Sequence, residues 1–134
     1  MPHLCLEYSP GLERRVDMNQ VCSALHNAMM AAGIFPIAGI RIRAFRADHA
    51  IIADGLLEND FLAMTLSVGQ GRSKAALAQA GAQIMATAEA ALAHPLSTPH
   101  FALSLEIREI DPDLSWKNTP IHQRLSSAVQ RAPQ

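Results

Sequence analysis

Residues 61–73 read Phe61-Leu62-Ala63-Met64-Thr65-Leu66-Ser67-Val68-Gly69-Gln70-Gly71-Arg72-Ser73. The first eight are uncharged and mostly apolar, which predicts a strand covered on both faces. Gly69 and Gly71 predict a turn, and Ser73 opens a helix. Downstream, Ala76, Leu77, Ala80, Ile84, Ala88 and Leu92 recur at helical spacing, and His94 and Pro95 end that run. Phe101, Leu103, Leu105 and Ile107 then alternate with Ala102, Ser104, Glu106 and Arg108, the two-residue period of a strand. The order is strand, helix, strand.

The same order stands upstream. Pro2-His3-Leu4-Cys5-Leu6-Glu7-Tyr8 alternates as a strand and ends at the turn Ser9-Pro10-Gly11. Met18, Val21, Cys22, Leu25, Ala28 and Met29 mark a helix from Asp17 to Ala32, with Asp17 as its cap and Gly33 as its stop. Pro36 breaks the chain before a strand over 39–46, where Ile40, Ile42 and Ala44 alternate with Arg41, Arg43 and Phe45. The fold class is therefore α+β: two tandem βαβ units, about 2–48 and 58–112, within a single domain 1–125 that includes a C-terminal segment. Right-handed crossovers place both helices on one face of a four-stranded mixed sheet. The other face stays bare, so oligomerisation is expected. The segment after Asp111 shows neither period. Its first part is expected to lie across a neighbouring subunit, anchored by Trp116, and 126–134 to form a mobile tail.

Composition narrows the function. A chain of 134 residues is the size of one domain, which buries roughly 68% of its unfolded surface. Eleven basic and twelve acidic residues give a net charge of −1, without the basic footprint of a nucleic-acid partner or a polybasic membrane patch. No apolar stretch has the length of a membrane span and no signal peptide is recognisable, so a cytoplasmic protein is expected. Cys5 and Cys22 lack CxxC spacing, and six scattered histidines lack any HxxxH or HExxH arrangement. No metal site is expected.

Three residues carry the candidate chemistry. Removal of Met1 leaves Pro2 with a free secondary amine on a rigid ring, able to act as a base or nucleophile. Nearby cations or apolar walls would favour its neutral form. The alternative is ordinary processing with an inert terminus. Arg41 shares a strand face with Arg43, opposite the apolar side, and such guanidiniums require anions: either an acidic residue such as Glu7 or Glu106, or a bound carboxylate. Arg72 follows the glycine turn at a helix start, a setting that suits an anion but is also an ordinary turn, without the lysine of a nucleotide P-loop.

Several separated segments together resemble the 5-carboxymethyl-2-hydroxymuconate isomerase family of the tautomerase superfamily. They are Met1-Pro2-His3 with Glu7, Gly33-Ile34-Phe35-Pro36, Ala38-Gly39-Ile40-Arg41, Ala53-Asp54-Gly55, Met64-Thr65-Leu66, Gly71-Arg72-Ser73 and Leu103-Ser104-Leu105-Glu106-Ile107. The resemblance implies a homotrimer of tautomerase-like subunits with active sites near subunit boundaries. It implies Pro2 as general acid/base, Arg41 and Arg72 as binders of a dicarboxylate or tricarboxylate substrate, and no cofactor. The implied reaction ketonises a 2-hydroxymuconate-type dienol, with 5-carboxymethyl-2-hydroxymuconate the expected substrate. Another proline-based tautomerase activity, of phenylpyruvate or hydratase type, and a non-enzymatic trimeric binding protein are the alternatives. The sequence departs from the family pattern in a more polar end after His122 and in the loop 45–52, expected to shape the substrate pocket.

Overall fold

The structure, a computed structural model, describes residues 1–131. The elements follow the order β1 (His3–Tyr8), α1 (Met18–Ala31), β2 (Arg41–Arg46), β3 (Asp60–Gly69), α2 (Lys74–Ala91), α3 (Ala93–Leu96), β4 (Phe101–Ile110) and α4 (Pro120–Arg131). Asp17 caps α1 by accepting from the Asn19 amide, and Ser73 caps α2 by accepting from the Ala76 amide, so each helix starts where its first turn finds an acceptor. Gly33, with φ of +74°, carries the reversal after α1 in a region that favours glycine.

The sheet runs β2-β1-β3-β4. β1 and β2 are parallel, β3 and β4 are parallel, and the two halves join through the antiparallel β1–β3 pair. This is the doubled βαβ plan, a four-stranded mixed sheet in an α+β fold. Leu4, Leu6 and Tyr8 of β1 and Leu62, Met64, Leu66 and Val68 of β3 point into one core with Val21, Leu25 and Met29 of α1 and Leu77, Ala80, Ile84 and Ala88 of α2. Both long helices thus cover one face and pack against each other. Ala76 is only half-buried. Gly81 joins the buried stripe instead, where a Cβ would stand 3.1 Å from Ile107 Cδ1.

Two expectations change. His94 and Pro95 do not end α2, which stops at Ala91; they form the separate turn α3. The uncovered sheet face carries the arginines, as strand alternation implies: register sets Arg41, His3 and Ser67 in one row and Arg43, Cys5, Thr65 and Glu106 in the next. Within its own subunit, α4 contacts the short 3-10 turn Ile37–Gly39, and Trp116 is 85% exposed in the isolated chain. Of the stretch 126–134 expected as a mobile tail, 126–131 belong to α4 and 132–134 lie outside the described residues.

One polar cluster ties the halves together at the end of the sheet where β1 finishes and β3 begins. Ser9 donates to Asp60 Oδ1 at 2.7 Å and accepts from the Phe61 amide, while Arg15 Nε stands 3.1 Å from Asp60 Oδ2. Both Ser9 and Asp60 are buried. Asp60→Ala removes the common acceptor and should cost about 2–4 kcal/mol, below the fullest cost of breaking a buried pair because Arg15 can still reach water. Urea unfolding measures this directly; a loss under about 0.5 kcal/mol, typical of surface changes, would show the cluster to be peripheral.

Candidate active site

Strand direction brings the candidate residues together. Because β1 is parallel to β2 and antiparallel to β3, the starts of β1 and β2 and the end of β3 meet at one end of the sheet, where His3 pairs with both Arg41 and Ser67. β4 also ends there, with Ile110 beside Gly69. The chain leaving β4 is thereby delivered to the same place.

Pro2 is buried at the head of β1. Its carbonyl accepts from the Arg41 amide at 3.0 Å. Gly39 leaves room for its ring: a Cβ at that position would stand 2.9 Å from Pro2 Cδ and 3.4 Å from Met1 Cα. Position 39 therefore needs a residue without a side chain.

The two arginines are held differently. Arg41 donates through Nη1 to the Gly39 carbonyl at 3.1 Å and approaches Met1 Sδ at 3.5 Å. Arg72 donates from Nε to the Ile34 carbonyl at 2.9 Å and from Nη1 to the Gly69 carbonyl at 3.2 Å, and its guanidinium carbon lies 5.3 Å from the centre of the Phe35 ring. These contacts orient the guanidiniums without neutralising them. Among the described residues, the ion pairs are Arg15–Asp60, Arg46–Glu13 and Arg108–Glu106, and none uses Arg41 or Arg72. Glu106, one acidic candidate for the strand arginines, is paired with Arg108 on its own strand.

Charge acts on the terminal amine as this crowding requires. Partial burial pushes the Met1 amine below its ordinary value of 8.0, and Lys117, Arg72 and Arg41 push in the same direction. Such an amine stays neutral to lower pH than a free one. His3 is likewise held below the usual imidazole range by burial and by Arg41 and Arg43, and its buried Nε2 has no hydrogen-bond partner among the described residues.

A cavity of about 420 Å³ is lined by Met1, Pro36, Ala38 and Gly39 and, from the C-terminal segment, by Lys117, Asn118, Thr119 and His122. That size suits a small organic ligand. Sequence periodicity gave no sign of this C-terminal lining. Thr119-Pro120 was the available cue, since proline at the first helical position marks a helix start that the reading of an aperiodic tail passed over. The loop 45–52, expected to shape the pocket, leaves β2 at the opposite end of the sheet from Pro2 and cannot reach this cavity within its own subunit.

The sequence pattern of the 5-carboxymethyl-2-hydroxymuconate isomerase family matches residues 2–125. The chain belongs to that family. The 5-carboxymethyl-2-hydroxymuconate Delta-isomerase of Escherichia coli is 34% identical over 122 residues, which cover 91% of this chain and 97% of the relative. A crystal structure of a 5-carboxymethyl-2-hydroxymuconate isomerase from Deinococcus radiodurans R1 superposes with a TM-score of 0.86 at 31% identity, covering 92% of this chain and 93% of that one. A solved "fused 4-OT wild type symmetric trimer" reaches a TM-score of 0.59 at 18% identity over 84% of this chain and 91% of that one, a likeness of fold alone. As a member of the 5-carboxymethyl-2-hydroxymuconate isomerase family, the protein is an isomerase with a tautomerase fold.

The seat of Pro2 is open to test. Gly39→Ala should lower stability by about 1–3 kcal/mol through overpacking and displace the amide resonances of His3 and Arg41 in a two-dimensional NMR spectrum. Unchanged resonances and stability would mean that the start of β1 is loosely held.

Proposed function

We propose that the protein ketonises 5-carboxymethyl-2-hydroxymuconate to its 2-oxo-3-ene isomer, with Pro2 as general acid/base once Met1 has been removed. The observation that carries this reading is the burial of the β1 terminus beside two oriented guanidiniums that have no carboxylate partner among the described residues. A site with fixed cations and a weakly basic amine fits an anionic substrate that must gain and lose a proton.

The proton balance closes on one group. The neutral Pro2 nitrogen takes the proton of the 2-hydroxyl, the C2–O bond becomes a carbonyl, and the double bond shifts from C2–C3 to C3–C4. The electron pair of the former C4–C5 double bond then accepts the proton from Pro2 at C5. No atom is lost and no oxidant is needed. Such a shuttle works best when the pKa of the group lies near the working pH. The Met1 amine is already lowered at this position, and the Pro2 amine, one residue deeper, would feel the same arginines.

Arg41 and Arg72 are the proposed partners of the substrate carboxylates and of the charge that develops on the 2-oxo oxygen. A fixed donor aimed at such charge is worth roughly 2.7–4 kcal/mol. The proposed assembly is a homotrimer, supported by the uncovered sheet face and by the symmetric trimer among proteins of like fold. In that assembly the loop 45–52 would serve a neighbour's site rather than its own.

Pro2→Ala should reduce kcat by about 10²–10⁴, the usual share of general acid/base catalysis, with circular dichroism unchanged. The acid limb of kcat/KM should lie below the ordinary α-amine range of about 7.7–8.0. Arg72→Gln should move that limb upward, because it removes a positive charge that opposes protonation. Wild-type turnover in Pro2→Ala would refute the assignment, and turnover of phenylpyruvate in preference to the dienol would favour the other proline-based activity.

A further inference from the structure

The cavity beside Met1 has a wall that the proposed mechanism leaves unused. Lys117, Asn118 and Thr119 reach it from the segment following β4, and His122 adds the first turn of α4. No lining residue is acidic. Lys117 has no ion-pair partner among the described residues, and, after burial, its charge is among those that lower the Met1 amine, whose residue lines the same cavity. Asn118 and Thr119 supply neutral hydrogen-bonding groups beside it, a polar lining that an anion can occupy without meeting a like charge.

The count of charges gives this wall a task. Lys117 lines the cavity itself, whereas Arg41 and Arg72 stand at the start of β2 and just past the end of β3, at the same end of the sheet but outside the lining. A 2-hydroxymuconate skeleton carries a carboxylate at each end; the carboxymethyl arm at C5 adds a third. Three cations without a carboxylate partner among the described residues, gathered at one end of the sheet, match a branched trianion better than an unbranched dianion.

We propose that Lys117 binds the carboxymethyl carboxylate and sets the preference for a branched tricarboxylate over an unbranched dicarboxylate dienol. This rests on the reaction proposed above and names the part of the substrate that this wall reads. The ammonium group is a flexible point charge on a four-carbon stem, suited to a carboxylate on a rotating methylene, whereas the planar arginines suit the rigid conjugated ends. The role is selection of substrate, separate from the proton transfer carried out at Pro2.

The test compares kcat/KM for 5-carboxymethyl-2-hydroxymuconate and for 2-hydroxymuconate in the wild type, Lys117→Met and Lys117→Arg. In Lys117→Met the ratio of the two should fall by about 10- to 100-fold, the scale of one charged hydrogen bond, mostly through KM for the tricarboxylate. Lys117→Arg should restore most of it. Equal losses on both substrates, or a ratio preserved within about twofold, would overturn the role of Lys117 while leaving the reaction intact. A wild type that isomerises neither compound would overturn the proposed reaction, and the role of Lys117 with it.

Discussion

The site depends on the position of β1 inside the sheet. A first strand at an edge would have one neighbour and a free end; here β2 pairs with it in parallel on one side and β3 antiparallel on the other. Leu4, Leu6 and Tyr8 bury its helix-facing side in the common core. The start of the strand is thus fixed by two hydrogen-bonded ladders and by packing, and the Arg41 amide reaches back to the Pro2 carbonyl. Termini are ordinarily mobile. Pro2, buried and hydrogen-bonded at the head of this strand, has the fixed seat that the proposed main-chain base would need.

The same strand directions explain why charge collects there. Arg41 begins β2, Arg72 follows β3, and the segment after β4 carries Lys117, so three cations arrive at one end of the sheet from three different connections. Like charges at close quarters are costly unless an anion joins them. The protein does not supply that anion from its described ion pairs. It orients Arg72 with two backbone carbonyls and an aromatic face instead, acceptors that fix geometry and leave the charge in place.

Much of this is written locally in the chain. The period-two runs, the caps Asp17 and Ser73 and the stop at Gly33 each act within a few residues, and the helices and strands stand where those signals put them. Arg41 and Arg43 face away from the helices because alternation along a strand leaves no other choice. The path of the C-terminal segment was not readable, since its position depends on contacts of α4 with the 3-10 turn Ile37–Gly39 and of Thr119 with Met1 that have no counterpart in its own pattern. The end of the sheet that the loop 45–52 occupies was likewise not readable, because it follows from strand direction rather than from the loop's own sequence. Lys117, a single charged residue in an aperiodic stretch, had no signal beyond its charge.

The central claim is that the working group is the nitrogen of Pro2, which exists as an amine only after Met1 is gone. The intact mass of the purified, active protein, taken with its turnover of the dienol, decides it most directly. A single species lacking the first methionine, with turnover falling in proportion wherever Met1 is retained, is the predicted result. Full turnover by protein that keeps Met1 would contradict the account.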